Sequence, residues 1–272
     1  MKTILRSLFV SVFLLSFLYV SAQPIDTVSV YSHKMGIDVK NLVILPKNYN
    51  VNQTYPVLYL LHGHGGNHIS WARIKPSLPE EASRYNMIIV CPDGKNSWYW
   101  DSPINSKSQF ETYVSKELVE YMDKTYSTVK SNKGRAITGF SMGGHGGLWL
   151  GIRHQDVFGA CGSMSGGVDI RPFPNNWNMK NLLGSYNENP NYWNEHTVMN
   201  LVKLIKPSTA NIIIDCGVDD FFFDVNERLH RELMLNKIPH DYIVRPGAHN
   251  GAYWNNAVDY QILYFSKYFN KK

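Results

Sequence analysis

Short apolar runs separated by longer stretches of helical periodicity constrain this chain more than any other feature. Residues 57–61, 87–90, 135–138, 159–164 and 212–214 are runs of three to six residues, too short for helices and apolar enough for strands buried on both faces. Between or after them, residues 71–85, 109–125, 144–154, 224–235 and 252–269 carry amphipathic helical patterns. Residues 28–33 and 41–45 alternate as a pair of early strands, and 238–244 adds a last strand with Pro239 in its first turn. Strand–helix units repeated in this way build an α/β fold, a mostly parallel central sheet with helices on both faces.

The alternation breaks once. Residues 166–208 are rich in Asn, Pro, Trp and Tyr and too long for a simple connection, with a helix expected at 194–205. An insertion of this kind roofs a binding site. With no internal repeat or linker, residues 23–272 are expected to form one domain.

Residues 1–22 read as a signal peptide. Lys2 and Arg6 give a positive start, residues 8–20 form an apolar and hydroxyl run, and Val20-Ser21-Ala22 offers small residues for cleavage before Gln23. The run is short for a bilayer span, which needs about 20 residues. The expected mature protein is secreted or periplasmic, with no membrane attachment after cleavage. A net charge of +5 spread over scattered Lys and Arg leaves no basic stripe for nucleic acid. Cys91, Cys161 and Cys216 lie far apart in or beside apolar runs, and are expected to be buried thiols rather than a disulfide framework.

Chemistry concentrates at the ends of the predicted strands. Gly139-Phe140-Ser141-Met142-Gly143-Gly144 follows one strand and opens a helix. A serine at such a junction sits on a sharp turn, its neighbours two residues away lack room for a side chain, and the helix N-terminus favours negative charge beside the hydroxyl. Ser141 is therefore a candidate nucleophile. An acid is expected next in chain order, then a histidine. Asp219 and Asp220 follow the strand 212–214, and Asp220 is preferred, with Asp219 left as a helix cap; Asp215, inside the strand, is expected to point aside. His249 lies in the loop between the last strand and the last helix, whereas His230 and His240 sit in regular elements. His62-Gly63-His64-Gly65-Gly66 follows the strand 57–61, and a glycine-rich loop there presents backbone donors to an oxyanion. The N–H groups of His64 and Met142 are the candidates, so replacing the His64 side chain is expected to matter little. His62, His64 and His68 alternatively form a zinc set of a deacetylase type, a reading that leaves the Ser–Asp–His order unexplained.

These segments resemble those of a known family. Leu60-Leu61-His62-Gly63-His64-Gly65-Gly66 with Ser70-Trp71, the Ser141 motif, Cys216-Gly217-Val218-Asp219-Asp220-Phe221 and Pro246-Gly247-Ala248-His249 are together similar to the "putative esterase" (esterase D-like) family of α/β-hydrolases. The family includes feruloyl and acetyl xylan esterases, S-formylglutathione hydrolase and mycolyltransferases. The resemblance implies the α/β-hydrolase fold, a Ser141–Asp220–His249 triad and oxyanion donors at His64 and Met142, without cofactor or metal. One departure is Gly247-Ala248, where the exported polysaccharide esterases commonly carry two glycines.

Export and aromatic residues then suggest the substrate. Trp98 and Tyr99, in the loop after the fourth strand, are the expected substrate-binding residues, with Trp71, Trp177, Tyr186, Trp193, Tyr253 and Trp254 as further aromatics near the rim. The expected partner is an acylated plant-wall polysaccharide such as xylan, carrying feruloyl or acetyl groups. An acyltransferase, an S-formylglutathione hydrolase-like thioesterase and a non-catalytic carbohydrate-binding hydrolase fold remain alternatives.

Overall fold

A computed structural model describes residues 25–271, so the predicted leader lies outside the described residues. Strands β1 (Ile25–Ser32) and β2 (Ile37–Ile44) form an antiparallel hairpin. Its turn closes with Gly36 at φ +69°, a conformation that costs a residue without Cβ little. β2 then pairs antiparallel with β4 (Ile88–Pro92). From there β3 (Val57–Leu61), β5 (Arg135–Gly139), β6 (Ala160–Met164), β7 (Ile212–Gly217) and β8 (Asp241–Arg245) run parallel. The eight-stranded order is β1-β2-β4-β3-β5-β6-β7-β8.

Strand periodicity of two divides the core into two layers. Val57, Tyr59 and Leu61 face one way, with Ile88, Val90 and Ile137, while Leu58, Leu60, Ile89 and Ala136 face the other. Helices α1 (Ser70–Ile74), α2 (Leu78–Arg84) and α9 (Gly251–Phe269) cover the second face through Trp71, Leu78, Ala82, Ala257, Ile262 and Phe265. On the first face pack α3 (Phe110–Thr112), α4 (Leu118–Thr125), α5 (Met142–Arg153) and α8 (Phe223–Leu235). A π turn, Tyr113–Glu117, joins α3 to α4 within the helix expected at 109–125. None of the described helices is long and apolar enough to cross a membrane.

Two expected helices are divided. The pattern at 71–85 splits into α1 and α2 because Pro76 lacks an N–H and disfavours helical backbone in the residue before it; Lys75 sits at φ −126°, ψ 79°. The helix expected at 194–205 is instead α7 (Pro190–Glu195) followed by a 3₁₀ segment, Val198–Leu204. With α6 (Lys180–Leu183), these elements bury Met179, Leu183, Trp193 and Val198 against the first-face core. Most of the 166–208 insertion is thus packed structure, and its Phe173–Trp177 stretch reaches the ends of the parallel strands. All three cysteines are free and buried.

Candidate active site

Ser141 stands where β5 ends and α5 begins. Its backbone is left-handed, φ +57° and ψ −120°. Three hydrogen bonds hold it there: Ser141 N donates to Met164 O at 2.9 Å, Gly143 N to Phe140 O at 2.7 Å, and His145 N to Ser141 O at 3.0 Å. The flanking glycines are a steric requirement. A Cβ on Gly139 would lie 2.4 Å from Leu61 O, and one on Gly143 2.5 Å from Leu61 O and 2.6 Å from His62 O. All are backbone atoms, which cannot swing aside.

The loops after β7 and β8 bring two more groups to this serine. His249 Nε2 lies 2.9 Å from Ser141 Oγ, and its Nδ1 lies 2.8 Å from Asp220 Oδ2 and 3.0 Å from Oδ1. Phe222 N donates to Asp220 Oδ1 at 2.8 Å and fixes the carboxylate. The Asp220 side chain is fully buried and that of His249 14% exposed, so the chain of contacts opens to solvent only near the serine. Asp219 is exposed and its N–H donates to Gly247 O at 2.9 Å, which continues the β7–β8 pairing. Of the two aspartates, Asp220 is the one within reach of His249.

The 62–66 loop passes directly against the serine: a Cβ on Gly63 would meet the Phe140 ring at 2.4 Å and Ser141 Cβ at 3.2 Å. Gly66 N turns the loop by donating to Gly63 O at 3.0 Å. Met142 is the first residue of α5, so no residue of that helix accepts its N–H. His62 is fixed by the backbone, with Nδ1 2.7 Å from Gly63 O and Nε2 accepting Gly94 N–H at 2.9 Å. Both ring nitrogens are thereby engaged, which takes His62 out of the zinc set considered above; the described residues form no group of three or more metal-ligating side chains. Burial alone would raise the Asp93 carboxyl, but hydrogen bonds from the Lys95 backbone N–H and ammonium hold it well below the usual carboxylate range. Burial lowers the pKa of His64, and the neighbouring Trp177 backbone of the insertion acts in the opposite direction.

Trp98 and Tyr99 are not rim residues. Both have left-handed backbones, φ +57° and +61°, which turn the loop inward, and their exposures are 1% and 0%. Trp98 stacks on Trp100 with centroids 5.5 Å apart. Tyr99 fills the space left by Gly94 and Gly146, and its hydroxyl donates to His62 O at 3.1 Å, bracing the 62–66 loop from behind. Trp71 and Trp193 are fully buried and Tyr253 nearly so.

The residues beside His249 are Phe221, Phe222 and Trp254, with ring centroids 4.2, 5.5 and 5.0 Å from the imidazole. Trp177 of the insertion packs on Phe221 and Phe222. In the sequence Phe221 stands only as the end of the acid motif. The signal available was the apolar run Phe221-Phe222-Phe223 directly after an acid in a loop.

Known proteins share this arrangement of strands and loops. An "Acetyl esterase" of Caldicellulosiruptor saccharolyticus is 26% identical over 265 residues, which is 88% of this chain and 97% of that protein. An "Endo-1,4-beta-xylanase/feruloyl esterase" of Xylanibacter ruminicola is 30% identical over 157 residues, 53% of this chain and 22% of that longer protein. The solved structure of a ferulic acid esterase superposes with a TM-score of 0.79 at 27% identity, covering 91% of this chain and 99% of that one. The fold is that of the α/β-hydrolases, and since the model of the "Putative esterase" family matches residues 32–264, nearly everything from the hairpin to α9, the chain belongs to that family of esterases.

Proposed function

We propose that the protein is an exported serine carboxylic-ester hydrolase that removes feruloyl or acetyl groups from plant cell-wall polysaccharide, with xylan as the main carrier. The observation that carries the reading is the continuous line of contacts from Asp220 through His249 to Ser141 Oγ, at 2.8 and 2.9 Å.

In this reading the Ser141 hydroxyl donates to His249 Nε2 while His249 Nδ1–H donates to Asp220, which fixes the tautomer that a general base needs. Ser141 Oγ attacks the ester carbonyl as its proton passes to Nε2. The N–H groups of His64 and Met142 stabilise the oxyanion, a contribution worth about 2.7–4 kcal/mol per donor in enzymes of this kind. The imidazolium then protonates the leaving sugar oxygen as the C–O bond breaks, leaving an acyl group on Ser141. Water, deprotonated by His249, attacks that acyl group; the bond to Ser141 Oγ breaks as the imidazolium returns the proton to that oxygen, and the free acid leaves. Asp220 stays ionised throughout and stabilises the imidazolium.

The relatives' names support the two acyl groups equally, and the leader read from residues 1–22 supports substrates outside the cell. The test is acyl release from methyl ferulate, acetylated xylan and S-formylglutathione by the mature enzyme and by Ser141→Ala. Ferulate or acetate release by the parent and none by Ser141→Ala is the expected result. Turnover confined to the glutathione thioester, or undiminished activity in the variant, would overturn it. N-terminal sequencing of the secreted product, expected to begin at Gln23, tests export.

A further inference from the structure

Phe221 is 53% exposed although it packs against three rings, those of His249, Trp177 and Phe222. A phenylalanine ordinarily buries such a ring. Here the residues around it hold it at the surface: Asp220 is tied to His249 on one side, and Phe222 is buried on the other. Trp177 lies nearly parallel to Phe221, 23° between planes and 5.9 Å between centroids, and so extends the same aromatic surface.

Trp177 is itself held firmly. It contacts Trp98 at 5.7 Å, Phe173 at 5.5 Å and Phe222 at 5.2 Å. Trp177 and Asn178 both have left-handed backbones, φ +50° and +53°. Such backbone persists only where surrounding contacts impose it, and it clusters at ligand-binding sites.

The position of this surface decides what it can touch. In acyl transfer the imidazole gives its proton to the oxygen of the departing alcohol, so the alcohol must lie against His249 rather than against the oxyanion donors. Phe221 is centred 4.2 Å from that imidazole. We propose that Phe221, extended by Trp177, is the platform for the alcohol half of the ester, and that it selects a sugar ring whose C–H face lies on the aromatic surface. The assignment rests on the ester-hydrolase reading above and adds to it which half of the substrate the aromatic surface recognises.

The experiment compares kcat/KM for methyl ferulate and for a feruloylated arabinoxylan oligosaccharide, which share an acyl group and differ only in the alcohol. Methyl acetate and acetylated xylo-oligosaccharide replace them if the enzyme releases acetate alone. Phe221→Ala is expected to cut the ratio of sugar-ester to methyl-ester kcat/KM by about tenfold, the order of effect of one aromatic contact. Phe221→Trp, which keeps a flat face, should retain the ratio. Because only the ratio is read, any loss common to both esters through His249 cancels. An unchanged ratio in Phe221→Ala overturns this assignment alone, whereas a parent enzyme that turned over neither ester would overturn the ester-hydrolase reading with it.

Discussion

The Tyr253 hydroxyl donates to Asp215 Oδ1 at 2.5 Å, tying the first turn of α9 to the middle of β7. The second oxygen of Asp215 accepts Arg245 Nη2 at 2.5 Å from the end of β8. These three residues lie beneath the two loops that carry Asp220 and His249. The Tyr253 ring also packs on Gly247, whose φ of +145° requires a residue without Cβ, and on Gly217. Burial raises the Asp215 carboxyl, opposed by the hydrogen bond from Tyr253 and by the charge of Arg245.

Asp215 is fully buried, so Asp215→Ala leaves the Arg245 guanidinium without its counter-charge. Breaking one side of a buried pair costs about 3–5 kcal/mol. Chemical denaturation should register a loss of that order together with lower esterase activity, since the site loops lose their support. A variant within about 0.5 kcal/mol of the parent, the range of ordinary surface changes, would refute the supporting role.

Gly143→Ala tests the steric argument at the nucleophile. The new Cβ would meet the carbonyl oxygens of Leu61 and His62 at 2.5 and 2.6 Å, and real Cβ atoms do not come so near. Either α5 or the 62–66 loop must shift, and both carry proposed oxyanion donors. A fall in kcat of about 10²–10³-fold, the cost of a lost donor, is expected with KM less affected. Activity within a few-fold of the parent would mean the two segments separate easily.

The sheet was legible because its strands are short apolar runs with no competing reading: residues 57–61 were expected as a strand and β3 spans the same five. That Ser141, Asp220 and His249 come together was legible because glycine spacing and chain order are themselves consequences of geometry. Side-chain direction in loops was not. Trp98 and Tyr99 look like rim aromatics in sequence, and only their left-handed backbones send them inward. Pro76, by contrast, was visible in the sequence, and the division between α1 and α2 could have been read from it.

Acid stability should depend on His145. This side chain is fully buried between Trp98, Trp100 and Trp149, accepting Trp100 Nε1–H at 2.7 Å and lying 2.9 Å from Gly167 O through Nδ1. Burial lowers its pKa to about 3, partly opposed by the Gly167 hydrogen bond. In the unfolded chain the group titrates near its ordinary value of about 6.5. Below that pH the unfolded state binds a proton that the folded state refuses. The contribution is therefore complete above about pH 6.5 and lost as pH falls toward 3, at up to about 1.4 kcal/mol per pH unit. Between pH 7 and 5 most carboxylates stay ionised, and His145→Gln, which keeps a donor and an acceptor, should show a shallower decline in denaturation midpoint than the parent. Identical slopes would remove His145 from the acid response.

His64 separates a backbone role from a side-chain role. Its proposed catalytic contribution is an N–H that alanine also possesses, so from sequence alone His64→Ala should be nearly silent. The fold adds a second role, because the half-buried His64 ring lies beside the backbone of Trp177 and so joins the 62–66 loop to the insertion. Losing that link leaves Ser141, His249 and both N–H donors in place but loosens the aromatic surface built on Trp177. For a polysaccharide ester, KM should rise several-fold, with kcat changing less. A methyl ester, too small to reach Trp177, should show the smaller rise. If kcat fell for both esters with KM unchanged, the imidazole would belong to the reacting centre and not to the binding surface.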